Sequence, residues 1–203
     1  MSKDSNPLDK LGQANLEAYH KKQDQLLIEA LRKKQAISDA IESIKSATGV
    51  EDDALLTRLA ELGITAEKVP TLHLIPLLDV AWADGEIQDA ERALLVEAAR
   101  IHGVEEGPAL SFFEDLLATP PSRELVSAAS SFIASLLSIL PNDEADAMKT
   151  NLVNLSVGIA DACGGFLGLW GRIDDDERKA LNRIAAAIAS EHPDAAKELL
   201  ARI

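Results

Sequence analysis

A single cysteine, Cys163, is all the thiol chemistry in this chain of 203 residues. It excludes an internal disulfide framework and suits a reducing compartment, so a cytoplasmic protein is expected. Aromatic residues are scarce as well: two Trp, one Tyr and four Phe. Hydrophobic residues still make up 47% of the chain. Leu, Ala and Ile must therefore supply the core, a mix that favours helix over strand. Sustained alternating runs of Val, Ile, Thr and Tyr are missing, so no sheet is expected. The opening residues Met1 to Pro7 contain no apolar stretch and do not read as a secretory signal.

Long hydrophobic runs are lacking too. Val126 to Leu140 is uncharged but spans only fifteen residues before Pro141. Leu152 to Trp170 is longer, but Asp161 and several glycines interrupt it. A spanning helix needs about 20 predominantly apolar residues. Both segments read as buried core helices, and no membrane span is expected.

Positive charge is in short supply, and unevenly placed. The chain carries a formal net charge of −14. Residues 1–50 hold 8 Lys/Arg against 7 Asp/Glu, a net of +1; residues 51–203 hold 12 against 27, a net of −15. The acidic part should repel nucleic acid and anionic membranes and attract cations or a basic partner. Solubility alone also accounts for such a charge.

From Pro7 to Thr48 there is no further proline, and no glycine lies between Gly12 and Gly49. Apolar residues recur at Leu16, Tyr19, Leu26, Leu27, Ala30, Leu31, Ile37, Ile41 and Ile44, mostly three or four apart. That spacing predicts one long helix, its stripe interrupted by the polar run His20 to Gln25, where a break is the alternative. Its first half is expected to project and to dock on a partner or a dimer mate. Folding back on its own domain explains the stripe equally well. The chain is thus read as an N-terminal helix over 1–50 and an acidic helical domain over 51–203.

Glycines and prolines divide the rest. Helices are expected from Glu51 to Leu62, Pro70 to Ala83, Asp89 to His102, Pro108 to Leu117 and Arg123 to Leu140. Thr65 to Val69 reads as a short turn or helix. Three more are expected from Asp143 to Cys163, Asp175 to Ser190 and Pro193 to Arg202.

One turn is written twice. Gly85 to Arg92 and Gly171 to Arg178 both read Gly-x-Ile-x-Asp-x-Glu-Arg, 86 residues apart. The shared residues suit an αα-hairpin: glycine ends one helix, isoleucine plugs the gap, and the glutamate caps the next. Two such helix-turn-helix units predict an all-α bundle, because neither buries its apolar face alone.

The first copy adds chemistry. Asp84, Gly85, Ile87 and Glu91 match the second half of an EF-hand loop, where a carboxylate, a glycine, an apolar residue and a bidentate Glu surround calcium. The positions that should open the loop are Val80 and Trp82, which do not chelate. Any Ca²⁺ or Mg²⁺ would need further acids such as Asp79, Glu86 or Asp89. The second copy has Trp170 in place of Asp84. The run Asp161 to Trp170 carries three glycines in five residues, but no strand precedes it and it lacks the nucleotide-binding spacing. His20, His73, His102 and His192 show no spacing with a nucleophile. An enzyme built on Asp79, Asp84 and Asp161 is the least supported class.

At Leu78 to Ile87, followed by Glu91, the chain resembles the TerB-like family, whose Ala-Asp-Gly-x-x-x-x-x-Glu pattern appears in full as Ala83 to Glu91. The resemblance covers about residues 55–203. It implies an all-helical, cytoplasmic, non-enzymatic bacterial protein of tellurite-resistance type whose acidic surface binds divalent cations. On that pattern Asp84 and Glu91 are the metal ligands, with Asp79 and Glu86 supporting them. The expected function is cation binding, of Ca²⁺ or Mg²⁺, at the acidic turn within a stress-linked or scaffolding assembly. The alternative is a metal-free interaction module that binds a protein partner, or itself, through residues 7–47.

Overall fold

The computed structural model describes residues 7–145, together with Ala147, Met148, Thr150 and Asn182. The described residues form helices and turns, with no strand among them. The protein is all-α, as its composition predicts. The second copy of the turn, with Asp161, Cys163 and Trp170, lies outside the described residues, so the repeat expected there is not placed.

Helix α1 runs unbroken over Pro7–Thr48, the one long helix expected, straight through the polar run His20 to Gln25. It is followed by α2 (Asp53–Glu61), a 3-10 helix (Ala66–His73), α3 (Ile75–Ala81), α4 (Asp89–Ile101), α5 (Gly107–Ala118) and α6 (Arg123–Ile139). The chain divides into two compact units, residues 1–39 and 40–203. In the first unit every side chain from His20 to Ala36 is exposed. In the second, Ala40 and Ile44 of the last turns of α1 are buried, and Ile44 joins the core.

One expected helix is two. The segment Pro70 to Ala83 splits into the end of the 3-10 helix and the separate α3. Pro76 explains the split, because it has no N–H to donate and is tolerated only in a helix's first turn. It stands there in α3. The starts of α2 and α6 carry side-chain caps. Asp52 Oδ1 accepts from the Ala54 and Leu55 N–H groups at 3.1 and 3.0 Å. Ser122 Oγ, just past the two prolines, accepts from Leu125 N–H at 3.1 Å. Each satisfies donors that a helix N-terminus leaves without intrahelical partners.

The core of the second unit is aliphatic, as expected. Leu56 and Leu59 of α2, Leu72 of the 3-10 helix, Leu78 of α3, Leu95 of α4 and Phe132 of α6 are fully buried. Helix α5 packs on the 3-10 helix, and α6 on α2 and α3. The uncharged Val126–Leu140 segment is a core helix: Ala128, Ala129, Phe132, Ile133 and Leu137 are all buried. No helix among the described residues is long and apolar enough to cross a membrane.

Candidate functional site: the acidic turn between α3 and α4

The turn is built from its backbone outward. Helix α3 closes with Trp82 N–H donating to Leu78 O at 2.9 Å and Ala83 N–H to Val80 O at 3.0 Å. Gly85 then donates to Trp82 O at 3.1 Å with φ at +100°. A side chain rarely adopts that φ, so the glycine is a backbone requirement. Asp84 Oδ1 accepts from Glu86 N–H at 3.1 Å, the aspartate turn that mimics a backbone bend. Ile87 packs partly buried against the core.

Glu91 is the least expected member. It is one of two buried polar or charged residues among those described, and its exposure is 0%. Its Oε2 accepts from Gln88 N–H at 2.7 Å, closing a capping box at the start of α4. A carboxylate at a helix N-terminus also meets the favourable end of the helix dipole. A bidentate metal role would have to share this oxygen, already held by a short bond, on a side chain with no exposed surface.

The four acids read as ligands are therefore placed differently from one another. Asp84 and Glu86 are exposed on the turn, Asp79 is half-buried on α3, and Glu91 is buried beneath α4. Asp79 and Glu91 both have interaction partners. Among the described residues no three His, Cys, Asp or Glu side chains converge as metal ligands. The residues as placed do not form a ready cage for a divalent cation.

The first copy of the phrase, extended back to Trp82, has two residues with a role that sequence reading missed. Trp82 Nε1 donates to Leu116 O at 2.9 Å, and Arg92 Nη2 donates to Leu117 O at 3.4 Å. Both carbonyls lie in the last turn of α5, where no intrahelical donor remains for them. A cation there also suits the helix C-terminus. The turn therefore anchors α5 from two sides. The spacing of Trp82 and Arg92, one at each end of the phrase, was the available signal.

A second feature is a histidine pair. His73 at the end of the 3-10 helix stacks on His102, the residue that closes α4, with ring centroids 5.3 Å apart and planes 23° apart. The His73 Nδ1 is buried with no hydrogen-bond partner among the described residues. Burial, and secondarily the neighbouring His102, lower the His73 pKa to about 4. Burial lowers that of His102 as well. Sequence reading assigned these histidines to packing or solvent, since 29 residues separate them and nothing in their spacing pairs them.

The chain matches no family model, no curated protein and no solved structure. The TerB-like resemblance thus rests on the residues of the turn alone.

Proposed function

We propose that this is a non-enzymatic helical interaction protein that docks a protein partner through α1. The observation that carries it is the exposure of four large apolar side chains on that helix: Leu26 at 51%, Leu27 at 60%, Ile28 at 48% and Leu31 at 58%. Successive helical residues are about 100° apart, so Leu26, Leu27 and Ile28 sweep about 200° of the surface. A helix that exposes apolar groups over half its circumference gains by being covered. The TerB-like motif supports the wider setting, a cytoplasmic scaffold in a stress-linked assembly.

Substitution tests this better than truncation. Removing residues 1–47 would also remove Ala40 and Ile44, both buried in the second unit. The variant Leu27→Asp/Leu31→Asp leaves the core intact. It is expected to lose a protein that co-purifies with the wild type from the native cell. An unchanged set of co-purifying proteins refutes the proposal.

The cation reading of the acidic turn is the second proposal. The exposed Asp84 and Glu86, side by side on a turn, favour it. Calorimetric titration with Ca²⁺ and Mg²⁺ tests it. Heat that disappears in Asp84→Ala supports it, and no heat at millimolar ion removes it.

A further inference from the structure

The first question is what could cover the α1 arc. Five cations flank it: Lys21 and Lys22 on one side, Arg32, Lys33 and Lys34 on the other. Against them stand Asp24 and Glu29, leaving an excess of three positive charges over residues 20–34. This charge pattern argues against pairing two such arms. Antiparallel, about a centre between Leu27 and Ile28, Lys21 and Lys22 meet Lys34 and Lys33. Parallel and in register, every lysine meets its own copy. Either arrangement opposes like charges. The complementary surface is apolar with an acidic rim.

Helix α4 presents such a surface. Its outward face carries exposed Val96 at 50% and Ile101 at 58%. At 100° per residue, Ala93, Val96, Glu97, Arg100 and Ile101 fall within one arc of about 140°, where Arg100 pairs with Glu97 at 2.6 Å and the two charges offset each other. Asp89 precedes that arc, and the exposed Glu105 and Glu106 follow it in the next turn. Residues 84–106 hold seven acids against Arg92 and Arg100, an excess of five negative charges.

We propose that the α1 arm of one copy of this chain docks on the outward face of α4 of a second copy, with Lys33 and Lys34 against Glu105 and Glu106. Reciprocal exchange is part of the proposal: each copy's arm covers the other's α4, giving a two-fold dimer. The proposal rests on α1 being a docking surface and names its occupant. An anionic membrane is the poorer fit: Asp24 lies within the arc, and the whole chain carries −14.

Sedimentation of the full chain at low ionic strength tests it. The wild type is expected to be a dimer. Lys33→Glu/Lys34→Glu and Glu105→Lys/Glu106→Lys are each expected to raise the dissociation constant about tenfold or more, since each reverses four rim charges per dimer. All four changes together should restore the dimer. Circular dichroism confirms that each variant remains helical. A wild type that stays monomeric at about 100 μM, well above the range of specific dimers, overturns the proposal. So does a dimer that both reversals leave intact. A monomer that co-sediments with phosphatidylserine vesicles assigns the arc to a membrane and also overturns it. If the chain is monomeric but Leu27→Asp/Leu31→Asp still loses a co-purifying protein, the dimer falls and the docking function stands.

Discussion

Lowering the pH from 7 to 4 is expected to loosen the body of the protein through His73. The imidazole is held between the 3-10 helix and the end of α4, and its Nδ1 has no acceptor among the described residues. Protonation would place a cation there with one N–H unsatisfied and a second imidazole 5.3 Å away. The sign follows from linkage. The folded pKa lies near 4 and the unfolded value is 6.5, so the unfolded state binds the proton first. The stability this neutral histidine contributes is therefore fully present above 6.5. It declines as the pH falls through the interval between the two values. A shift of about 2.5 units at about 1.4 kcal/mol per unit gives a ceiling of about 3 kcal/mol. About 2 kcal/mol of that should be lost by pH 5. Folding stabilities of about 5–15 kcal/mol make this a large fraction.

Urea unfolding followed by circular dichroism at several pH values measures the loss. His73→Phe keeps a ring against His102 but removes the titration. Carboxylates that titrate in the same range act on both proteins, so the difference between them isolates His73. The wild type should fall relative to the variant by about 2 kcal/mol between pH 7 and pH 5. His102, also lowered by burial, should leave a smaller residual slope in His73→Phe. Parallel pH profiles for the two proteins would refute the assignment.

Other consequences are smaller but equally open to measurement. Glu91→Ala should cost about 1–3 kcal/mol in urea unfolding, because it removes a buried acceptor and leaves Gln88 N–H without one; Glu91→Gln should recover most of that, since its amide oxygen can accept the same bond. Trp82→Phe keeps an aromatic ring but loses the indole N–H and part of the packed volume, leaving Leu116 O without its donor at a cost of about 1–3 kcal/mol. Gly85→Ala meets no atom within 4 Å, so its expected cost of about 1 kcal/mol is backbone strain alone. At protein concentrations where the chain is monomeric, Leu27→Asp/Leu31→Asp should shift the unfolding midpoint little, within about 0.5 kcal/mol, because both side chains are then exposed.

The helical class was legible because it depends on local chemistry. Glycine and proline punctuation set most boundaries to within a residue or two, and the three-and-four spacing marked α1. Where the reading differed, a specific residue decided. Pro76 divided an expected helix because its missing N–H tolerates only a first-turn position. The polar run His20 to Gln25 did not break α1, because Lys and Gln are good helix formers even where no apolar stripe continues. The histidine stack was not legible at all, since it depends on how the 3-10 helix meets the end of α4.

The acidic turn shows why residue type and spacing alone overstate chemistry. Glu91 occupies the position of a bidentate ligand in a calcium loop, and the same position is the third residue of a helix. A carboxylate there finds a backbone donor within its own turn, Gln88 N–H at 2.7 Å. That bond needs only the local helix start, whereas coordination needs several acids brought together from separate segments. The local option is therefore available as soon as α4 forms. Trp82 and Arg92 extend the same logic outward, since both donate to carbonyls that α5 leaves open. A phrase that closes one helix, caps a second and secures the end of a third has reason to recur wherever that arrangement does. It needs no ion to account for Trp82, Gly85, Ile87, Glu91 or Arg92. What it leaves without a structural task beyond its own bend is the exposed carboxylate pair of Asp84 and Glu86, and any cation chemistry has to begin there.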